Sequence, residues 1–294
     1  MDERTWLADR FEENRPHLRS VAYRMLGSIS DADDAVQEAW QRLSRADRSD
    51  VDNLPGWLTT VVARVSLNML RTRRTRREEP LEVRLPDPIV TPETGADPEH
   101  QAVLADSVGL ALLVVLDTLT PAERLSFVLH DMFAVPYEEI APMLERSPVA
   151  TRQLASRARR RVQGRAPVPD PDLGWQRQVV DAFFAAARDG DFDGLVAVLD
   201  PDVVLRADGG AARARPTVML RGARAVAENS SGARKLARFV RPALVNGAAG
   251  AVVAINGQPF AVMGFTVADD RIVAIDILYD PDRLAGLDLT LLDG

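Results

Sequence analysis

The stretch "SPVATRQLASRARRR" (147–161) decides how this sequence is interpreted. Ser147 followed by Pro148 is a typical helix start, because serine accepts a hydrogen bond from a first-turn amide and proline fits the first helical position. Helical spacing places five polar side chains on one side: Arg152, Gln153, Ser156, Arg159 and Arg160. It leaves three apolar side chains to pack: Val149, Leu154 and Ala158.

Two further helices are predicted immediately upstream of this stretch. Thr120 caps a helix that runs from Pro121 to Met132, and a shorter helix follows over 136–144. A short helix, a tight turn and a basic helix form the pattern of a helix-turn-helix, whose last helix enters the DNA major groove. Arginine and glutamine can make bidentate contacts to bases, and arginines further along, such as Arg157, suit phosphates. An ordinary pair of surface helices is the alternative.

A second arginine cluster, 71–77, closes a helical pattern near the front of the chain. The whole chain has a net charge of −7, so two short basic segments on an acidic protein indicate a polyanionic partner at defined surfaces. The alternative is a solvated, arginine-rich face in a protein whose only lysine is Lys235.

Changes in apolar spacing and two proline-rich segments divide the chain. We expect a helical domain over 1–79, an extended linker over 80–100, a helix-turn-helix domain over 101–165, a short linker over 166–173 and an α+β domain over 174–294. The first helical breaks fall near Gly27, with Ser30 or Asp31 as the next cap, and near Pro55. The last domain begins helical and then shows strand-like runs at 203–206, 251–255, 260–267 and 272–279. The fold class is therefore multidomain, with two all-α domains followed by an α+β domain.

Composition excludes several kinds of chemistry. The chain has no cysteine and three histidines, so disulfides, thiolate zinc sites and thiol nucleophiles are excluded, and metal chemistry is not expected. No phosphate-binding glycine loop occurs, and we expect no cofactor. No stretch approaches the roughly 18–20 apolar residues of a membrane span, and no signal peptide begins the chain, so the expected location is cytoplasmic.

Three segments together closely resemble the two domains of extracytoplasmic-function sigma factors of bacterial RNA polymerase. They are "DADDAVQEAWQRL" (31–43), "LPGWLTTVVARVSLNMLRTRRTR" (54–76) and "LTPAERLSFVLHDMFAVPYEEIAPMLERSPVATRQLASRARRRV" (119–162). The resemblance covers residues 5 to about 163 and implies promoter-specific transcription initiation. Magnesium and nucleotides would then belong to the polymerase.

The resemblance implies two groups of binding residues. Those that dock on the clamp of the largest polymerase subunit are Asp34, Gln37, Glu38 and Trp40, since carboxylates beside an aromatic anchor suit a basic, partly apolar partner. Those that bind promoter DNA are Arg45, Asn53, Asn68, Arg71 and Arg74 at the minus-ten element, and Arg152, Gln153, Ser156, Arg157 and Arg160 at the minus-35 element. Trp57 is expected to be core, and the acidic helix could instead be an ordinary amphipathic helix.

Residues 174–294 resemble a SnoaL-like domain, the cone-shaped α+β fold of ketosteroid isomerases and polyketide cyclases. A sigma-factor subgroup, the SigJ type, carries this fusion, and its short motifs have variant counterparts here: "RLPDP" (84–88), "ADGGA" (207–211) and "YDPDRL" (279–284). The residues expected to regulate are Leu85, Pro86, Asp208, Gly209, Gly210, Asp280, Pro281, Asp282, Arg283 and Leu284. We hypothesise that this domain packs against the sigma domains, partly through the linker and the tail, and sets their availability.

Two rival functions remain open from the sequence. The last domain could perform acid–base catalysis with Asp208, Asp276 or Arg206, although an aspartate before Gly-Gly is more often a turn residue. Fold analogy alone does not carry that chemistry, so we expect no enzyme; a small-ligand sensor is more plausible. The chain could also be a helix-turn-helix regulator that binds DNA without polymerase, which would leave residues 31–76 without a function.

Overall fold

A computed structural model describes residues 3–45, 53–76, 84–93, 109–210, 217–230 and 233–289. The chain divides into two compact units. A helical unit contains the described residues of 1–80 and 115–165, and an α+β unit contains those of 81–114 and 166–294.

The front of the helical unit consists of three helices: α1 (Glu3–Leu26), α2 (Ile29–Leu43) and α3 (Leu54–Arg76). The cap of α2 is Ser28, two residues before Ser30 and three before Asp31, the two caps that we expected. Ser28, with extended backbone, accepts a hydrogen bond from the Asp31 amide, and Ser30 already lies inside the helix. The apolar face of α2 is buried, with Ala32, Ala35, Val36, Ala39 and Leu43 in the core.

The second part of the helical unit begins with the end of α4 (Leu110–Asp117) and continues with α5 (Pro121–Phe127), α6 (Tyr137–Leu144) and α7 (Pro148–Gln163). The predicted cap Thr120 is confirmed, because its side chain and that of Glu123 satisfy each other's backbone amides. The helix continues to Met132 as predicted, but its last turn is a wider π-helix over Val128–Met132. Glu145 adopts a left-handed conformation at the end of α6 and creates the tight turn before Ser147.

The α7 helix begins as predicted but buries different residues from those expected. Ser147 accepts a hydrogen bond from the Ala150 amide, which confirms the cap. Leu154 and Ala158 are buried as expected, whereas Val149 is 65% exposed and the prediction that it packs is wrong. Thr151 and Ala155 are buried in addition, since the buried stripe is displaced by about half a turn at the start of the helix.

The α+β unit follows. Its helices are α8 (Leu173–Asp189), α9 (Phe192–Val198), α10 (Ala223–Asn229), α11 (Ala233–Leu236) and α12 (Pro281–Ala285), with a 3-10 turn at Ala237–Phe239. Its strands are β1 (Val90–Thr91), β2 (Leu199–Asp208), β3 (Val218–Arg221), β4 (Val240–Val245), β5 (Ala248–Ile255), β6 (Gln258–Ala268) and β7 (Arg271–Leu278).

These strands form one sheet in the order β1-β4-β5-β6-β7-β2-β3, in which β2 and β7 are parallel and the other neighbours antiparallel. One face of the sheet packs on α8, where Phe183, Phe184 and Phe265 contact one another edge-on at 5.5–5.6 Å between ring centroids. The four predicted strand runs are confirmed as parts of β2, β5, β6 and β7; β1, β3 and β4 were not predicted.

The described part of the proline-rich linker belongs to the α+β unit. Residues 84–89 form neither helix nor strand, whereas Val90 and Thr91 pair with β4 and become an edge strand of the sheet. Asn246 binds both backbone groups of Ile89: its backbone amide donates to the carbonyl at 2.8 Å, and its side chain accepts from the amide at 3.1 Å. The linker residues 80–83 and 94–100, and the start of the next predicted domain at 101–108, lie outside the described residues.

Candidate functional site

The exposed face of α2 carries the side chains expected to meet polymerase. Asp34, Gln37 and Glu38 are exposed, on the side opposite the buried alanines. Trp40 is half-buried, with its ring centroid 5.0 Å from that of Phe11. Three polar groups therefore project to solvent beside an aromatic ring fixed by the core.

The end of α3 presents part of the predicted arginine cluster. Asn68, Arg71 and Arg74 are exposed. Arg73 instead turns inward, where it forms an ion pair with Asp31 and donates to the Leu26 carbonyl at 3.1 Å. Arg73 thus joins α3 to the start of α2. The exposed cations at the end of α3 are Arg71 and Arg74.

The loop before α3 is only partly described, since residues 46–52 lie outside the described residues. Arg45 is exposed at its start. Asn53 is exposed as well, but its side chain accepts the Gly56 amide at 3.1 Å and so stabilises the first turn of α3. Trp57 is half-buried rather than fully in the core.

The α7 helix exposes four of its five predicted DNA-binding side chains: Arg152, Gln153, Arg157 and Arg160. Ser156 is half-buried. The Arg152 guanidinium lies 5.3 Å from the centroid of the Tyr137 ring, which fixes it at the start of the helix. Arg159, which we placed on the same side, is held by Asp131 and donates to the Tyr137 hydroxyl at 2.6 Å, so it ties α7 to the preceding helices.

Glu123 anchors the other side of α7. Its carboxylate accepts from Arg161 at 2.9 Å and lies 3.6 Å from Arg157. Burial by itself would raise the pKa of Glu123, but the hydrogen bonds from Thr120 and the charges of Arg161 and Arg157 outweigh burial and lower that pKa. Glu123 therefore stays ionised and holds α7 against the start of α5.

The two halves of the helical unit pack on each other through buried arginines. Arg124, only 2% exposed, donates to the Arg24 carbonyl at 3.1 Å. The Arg24 guanidinium lies 4.6 Å from the centroid of the Phe133 ring, and His17 meets the same ring edge-on at 5.2 Å. The predicted helical domains therefore contact each other directly within one compact unit.

The linker and tail motifs meet at one buried cluster, centred on Asp208 and Arg283. Asp208 accepts from the Leu85 amide at 2.9 Å and from Arg283 at 2.7 Å. Arg283 also donates to the Leu85 carbonyl at 2.7 Å and to Asp87 at 2.8 Å from its Nε. We call these four residues, Leu85, Asp87, Asp208 and Arg283, the linker lock.

The remaining motif residues surround the linker lock. Asp208 accepts the Gly210 amide at 3.0 Å, and a Cβ at Gly209 would lie 2.5 Å from the Tyr279 ring. Gly210 has a φ of +77° beside Asp280, a conformation that favours glycine. The other predicted residues take these places: Pro86 and Leu284 are buried, Asp280 caps α12, and Pro281 and Asp282 are exposed.

Two of the three candidate catalytic residues of the α+β unit, Arg206 and Asp276, are paired with each other, whereas Asp208 belongs to the linker lock. Arg206 donates to Asp276 at 2.6 and 3.2 Å, and Asp276 is 2% exposed. Burial raises the pKa of Asp276, while the Arg206 charge opposes that rise. Within the described ranges, no group of three or more His, Asp or Glu side chains could hold a metal ion, and none of the helices is long and apolar enough to cross a membrane.

Sequence reasoning missed several residues that hold these sites together. Asp87 is the second carboxylate on Arg283, and Arg177 pairs with Glu93 of the linker while donating to the carbonyls of Gly250 and Ala243 at 3.0 Å. Asp87 lay inside the quoted "RLPDP" motif, so its charge within that motif was an available signal. Nothing local pointed to Arg177.

Comparisons with known proteins agree with this architecture. Residues 10–76 match the Sigma-70 region 2 family and residues 109–162 match the Sigma-70 region 4 family. The chain is 38% identical to the ECF RNA polymerase sigma factor SigJ of Mycobacterium tuberculosis, over 94% of this chain and 92% of that protein. It is 35% identical to the probable ECF RNA polymerase sigma factor SigI of the same species, over 92% of each chain.

A solved structure matches the whole fold. The crystal structure of the Mycobacterium tuberculosis extracytoplasmic function sigma factor SigJ superposes with a TM-score of 0.77 at 37% sequence identity, covering 96% of this chain and 99% of that one. The expected fold class, helical sigma domains followed by a SnoaL-like α+β domain, is confirmed. The chain belongs to the extracytoplasmic-function sigma factors of RNA polymerase, in the SigJ-type subgroup that carries a C-terminal SnoaL-like domain.

Proposed function

We propose that the chain binds core RNA polymerase through the exposed face of α2 and directs it to promoters through α3 and α7. The observation that carries this proposal is the separation of faces on α2 and α7. Each helix buries one apolar stripe and exposes, on the other side, side chains suited to a partner: Asp34 and Glu38 on α2, Arg152 and Gln153 on α7. The place of action would be the cytoplasm, where polymerase works.

The polymerase contact is proposed from charge and shape. The α2 face offers carboxylates and an amide beside Trp40, which is half-buried and held by Phe11. A fixed aromatic ring loses little entropy on binding, and flanking carboxylates favour a basic partner surface such as the polymerase clamp. Membership of the sigma-factor family supports this partner.

Promoter recognition is proposed at two separate places. The start of α7 offers Arg152 and Gln153 toward base edges of the minus-35 element, while Arg157 and Arg160 suit its phosphates. Asn68, Arg71 and Arg74 on α3, with Arg45 and Asn53 before it, would hold the strand melted at the minus-ten element. Because Asn53 also stabilises the first turn of α3, replacing it would affect both the helix and DNA binding.

The SnoaL-like domain is proposed to regulate these contacts through the linker lock. Residues 84–91, between the minus-ten helix and the minus-35 domain, are fixed on the sheet by Asp208, Arg283 and Asn246. A linker fixed along part of its length leaves a shorter free tether, which limits how far the two sigma domains can separate. The domain would therefore set their availability, and this role needs no catalytic step.

The experiment that tests the proposed function is a binding assay between the full chain and core polymerase, followed by electrophoresis on promoter fragments. We expect a stoichiometric complex that binds promoters, and a charge reversal at Glu38 that weakens the complex. A chain that binds promoter DNA equally well with and without core polymerase would instead be a helix-turn-helix regulator. That result would overturn the proposal.

A further inference from the structure

A groove of about 460 Å³ lies on the α+β unit, apart from the linker lock. Its floor contains Val196, Leu199 and Ala223, which belong to the core of that unit or pack against it. Leu199 is the first residue of β2, and Asp208 of the linker lock is the last residue of the same strand. The groove and the linker lock therefore lie at opposite ends of β2.

Two exposed arginines of this groove have hydrogen-bond donors available. Arg271 begins β7, and its Nη1 donates to the Leu199 carbonyl at 3.3 Å, which places this guanidinium at the groove floor. Arg221 ends β3 and also lines the groove. In the part of the chain that the structure describes, neither arginine forms an ion pair. Both guanidinium groups can therefore donate hydrogen bonds to a ligand.

Arg224 is the third arginine of the groove, and its guanidinium is already engaged. It lies 5.5 Å from the centroid of the Phe192 ring and 4.0 Å from the carboxylate of Glu228. Phe192 and Val196 are four residues apart on α9 and so lie on the same side of that helix. The Arg224 charge is therefore held beside the groove, while Arg221 and Arg271 supply the available donors.

The charge of the groove favours an anionic ligand. Among the described residues, those that line it include three arginines and no aspartate or glutamate. The sequence around β3 and α10 is basic as well, because residues 209–241 contain eight Arg or Lys residues and one acidic residue in a chain whose net charge is −7. A local excess of positive charge attracts anions and raises their concentration at the surface.

The uncharged part of the lining indicates what the rest of the ligand is. Apart from the arginines, the described residues of the groove are valine, leucine, proline, alanine and glycine. Sugars and nucleobases would find no polar uncharged side chain there, and polar groups that lose water without gaining a hydrogen bond weaken binding. An apolar chain gains from leaving water and needs no such partner. The groove volume also falls within the range of roughly 300–1,000 Å³ that is typical of small-molecule sites.

We propose that this groove binds a carboxylate with an apolar body. Arg271 and Arg221 bind the carboxylate, because guanidinium and carboxylate groups form paired, charge-assisted hydrogen bonds. The apolar body lies over Val196, Leu199 and Ala223. This proposal goes beyond the proposed function and needs neither polymerase nor DNA, so the two can be tested separately.

The test is a calorimetric titration of the full chain with sodium octanoate below its micelle concentration, with sodium chloride at equal ionic strength as the blank. We expect saturable binding of one octanoate per chain. Sodium acetate has the charge without the chain, and octanamide has the chain without the charge. Each should bind at least about tenfold more weakly than octanoate.

Three variants locate the binding site. Arg271→Gln and Arg221→Gln should each weaken octanoate binding at least about tenfold, because each removes a charged donor. Arg188→Gln is the matched control and should bind octanoate like the wild type, because Arg188 is an exposed arginine of α8 that does not line the groove. Circular dichroism checks that each variant folds. A titration that does not saturate, octanamide that binds as tightly as octanoate, or equal weakening by all three variants would overturn the proposal.

Discussion

Arg283 donates a 2.7 Å hydrogen bond to Asp208, although the two residues are 75 positions apart in the chain. The same guanidinium binds the carbonyl of Leu85, 198 positions away. One side chain from the tail therefore fixes both the SnoaL-like sheet and the linker between the sigma domains.

The first prediction concerns the linker lock. Arg283→Gln should cost the α+β unit about 3 kcal/mol, because breaking a largely buried ion pair leaves Asp87 and Asp208 without their cation. Hydrogen exchange should show faster exchange of the backbone amides over 84–91. If the proposed regulation holds, promoter binding with core polymerase should also rise severalfold.

Arg224→Gln is the control for that variant. Arg224 is exposed, and its ion pair with the exposed Glu228 is weak, with the charged atoms 4.0 Å apart. Removing the Arg224 charge should therefore change the free energy of unfolding by less than about 0.5 kcal/mol. Unchanged exchange over 84–91 in Arg283→Gln would show that the lock does not hold the linker. Faster amide exchange over 84–91 together with unchanged promoter binding would contradict the proposed regulation but not the structural role of the linker lock.

The second prediction is a pH dependence that originates at Glu123. Since the folded state lowers the pKa of Glu123, its ionised form contributes stability that is fully present above the ordinary glutamate pKa of about 4.3. This contribution should disappear as the pH falls through the lowered pKa. In Glu123→Gln, which retains the capping side chain, the free energy of unfolding should fall less steeply with acid.

Urea unfolding at a series of pH values measures this difference. Glu139→Gln, at an exposed position of α6, serves as the comparison and should preserve the wild-type acid dependence. Parallel curves for the wild type and Glu123→Gln would contradict the electrostatic role assigned to Glu123.

The third prediction separates base reading from phosphate binding on α7. Arg152→Ala and Gln153→Ala should each cost about 1–3 kcal/mol, and only at particular base pairs of the minus-35 element. Arg160→Ala should weaken all sequences about equally and reduce the slope of log affinity against log salt by about 1. Binding of polymerase complexes to single-base variants of a promoter measures both effects. If Arg152→Ala weakened binding to all promoter variants equally, Arg152 would contact a phosphate and not a base.

The fourth prediction concerns α2. Glu38→Lys should weaken core polymerase binding at least about tenfold, since a cation would face the basic clamp. Glu13→Lys is the control for overall charge, because Glu13 is an exposed residue of α1 with the same charge change. Surface plasmon resonance on immobilised core enzyme compares them. Equal losses in both variants would mean that net charge, and not the α2 face, controls binding.

Much of the architecture was predictable from local sequence, because helix caps and apolar periodicity are local signals. Ser147-Pro148 and Thr120-Pro121 fixed the starts of α7 and α5, and apolar runs marked β5, β6 and β7. The binding residues on the exposed face of α2 were implied by the resemblance to the sigma-factor family.

The rest depends on contacts between distant segments. Asp87 and Arg283 lie 196 positions apart, and no local pattern pairs them. The linker contains many prolines, yet Val90 and Thr91 join the sheet, because the edge of β4 offers backbone partners that sequence alone does not display. Likewise, Arg73 turns inward only because α3 passes beside Asp31.

Promoter-specific initiation is tested most directly by transcription in vitro with core RNA polymerase on a library of genomic promoters. The proteins compared are the full chain and its Arg283→Gln and Glu38→Lys variants. We expect discrete RNA start sites that core polymerase alone does not produce and that the Glu38→Lys variant does not support. If neither the full chain nor its Arg283→Gln variant adds any start site to those of core polymerase alone, the chain does not act as a promoter-specific initiation factor.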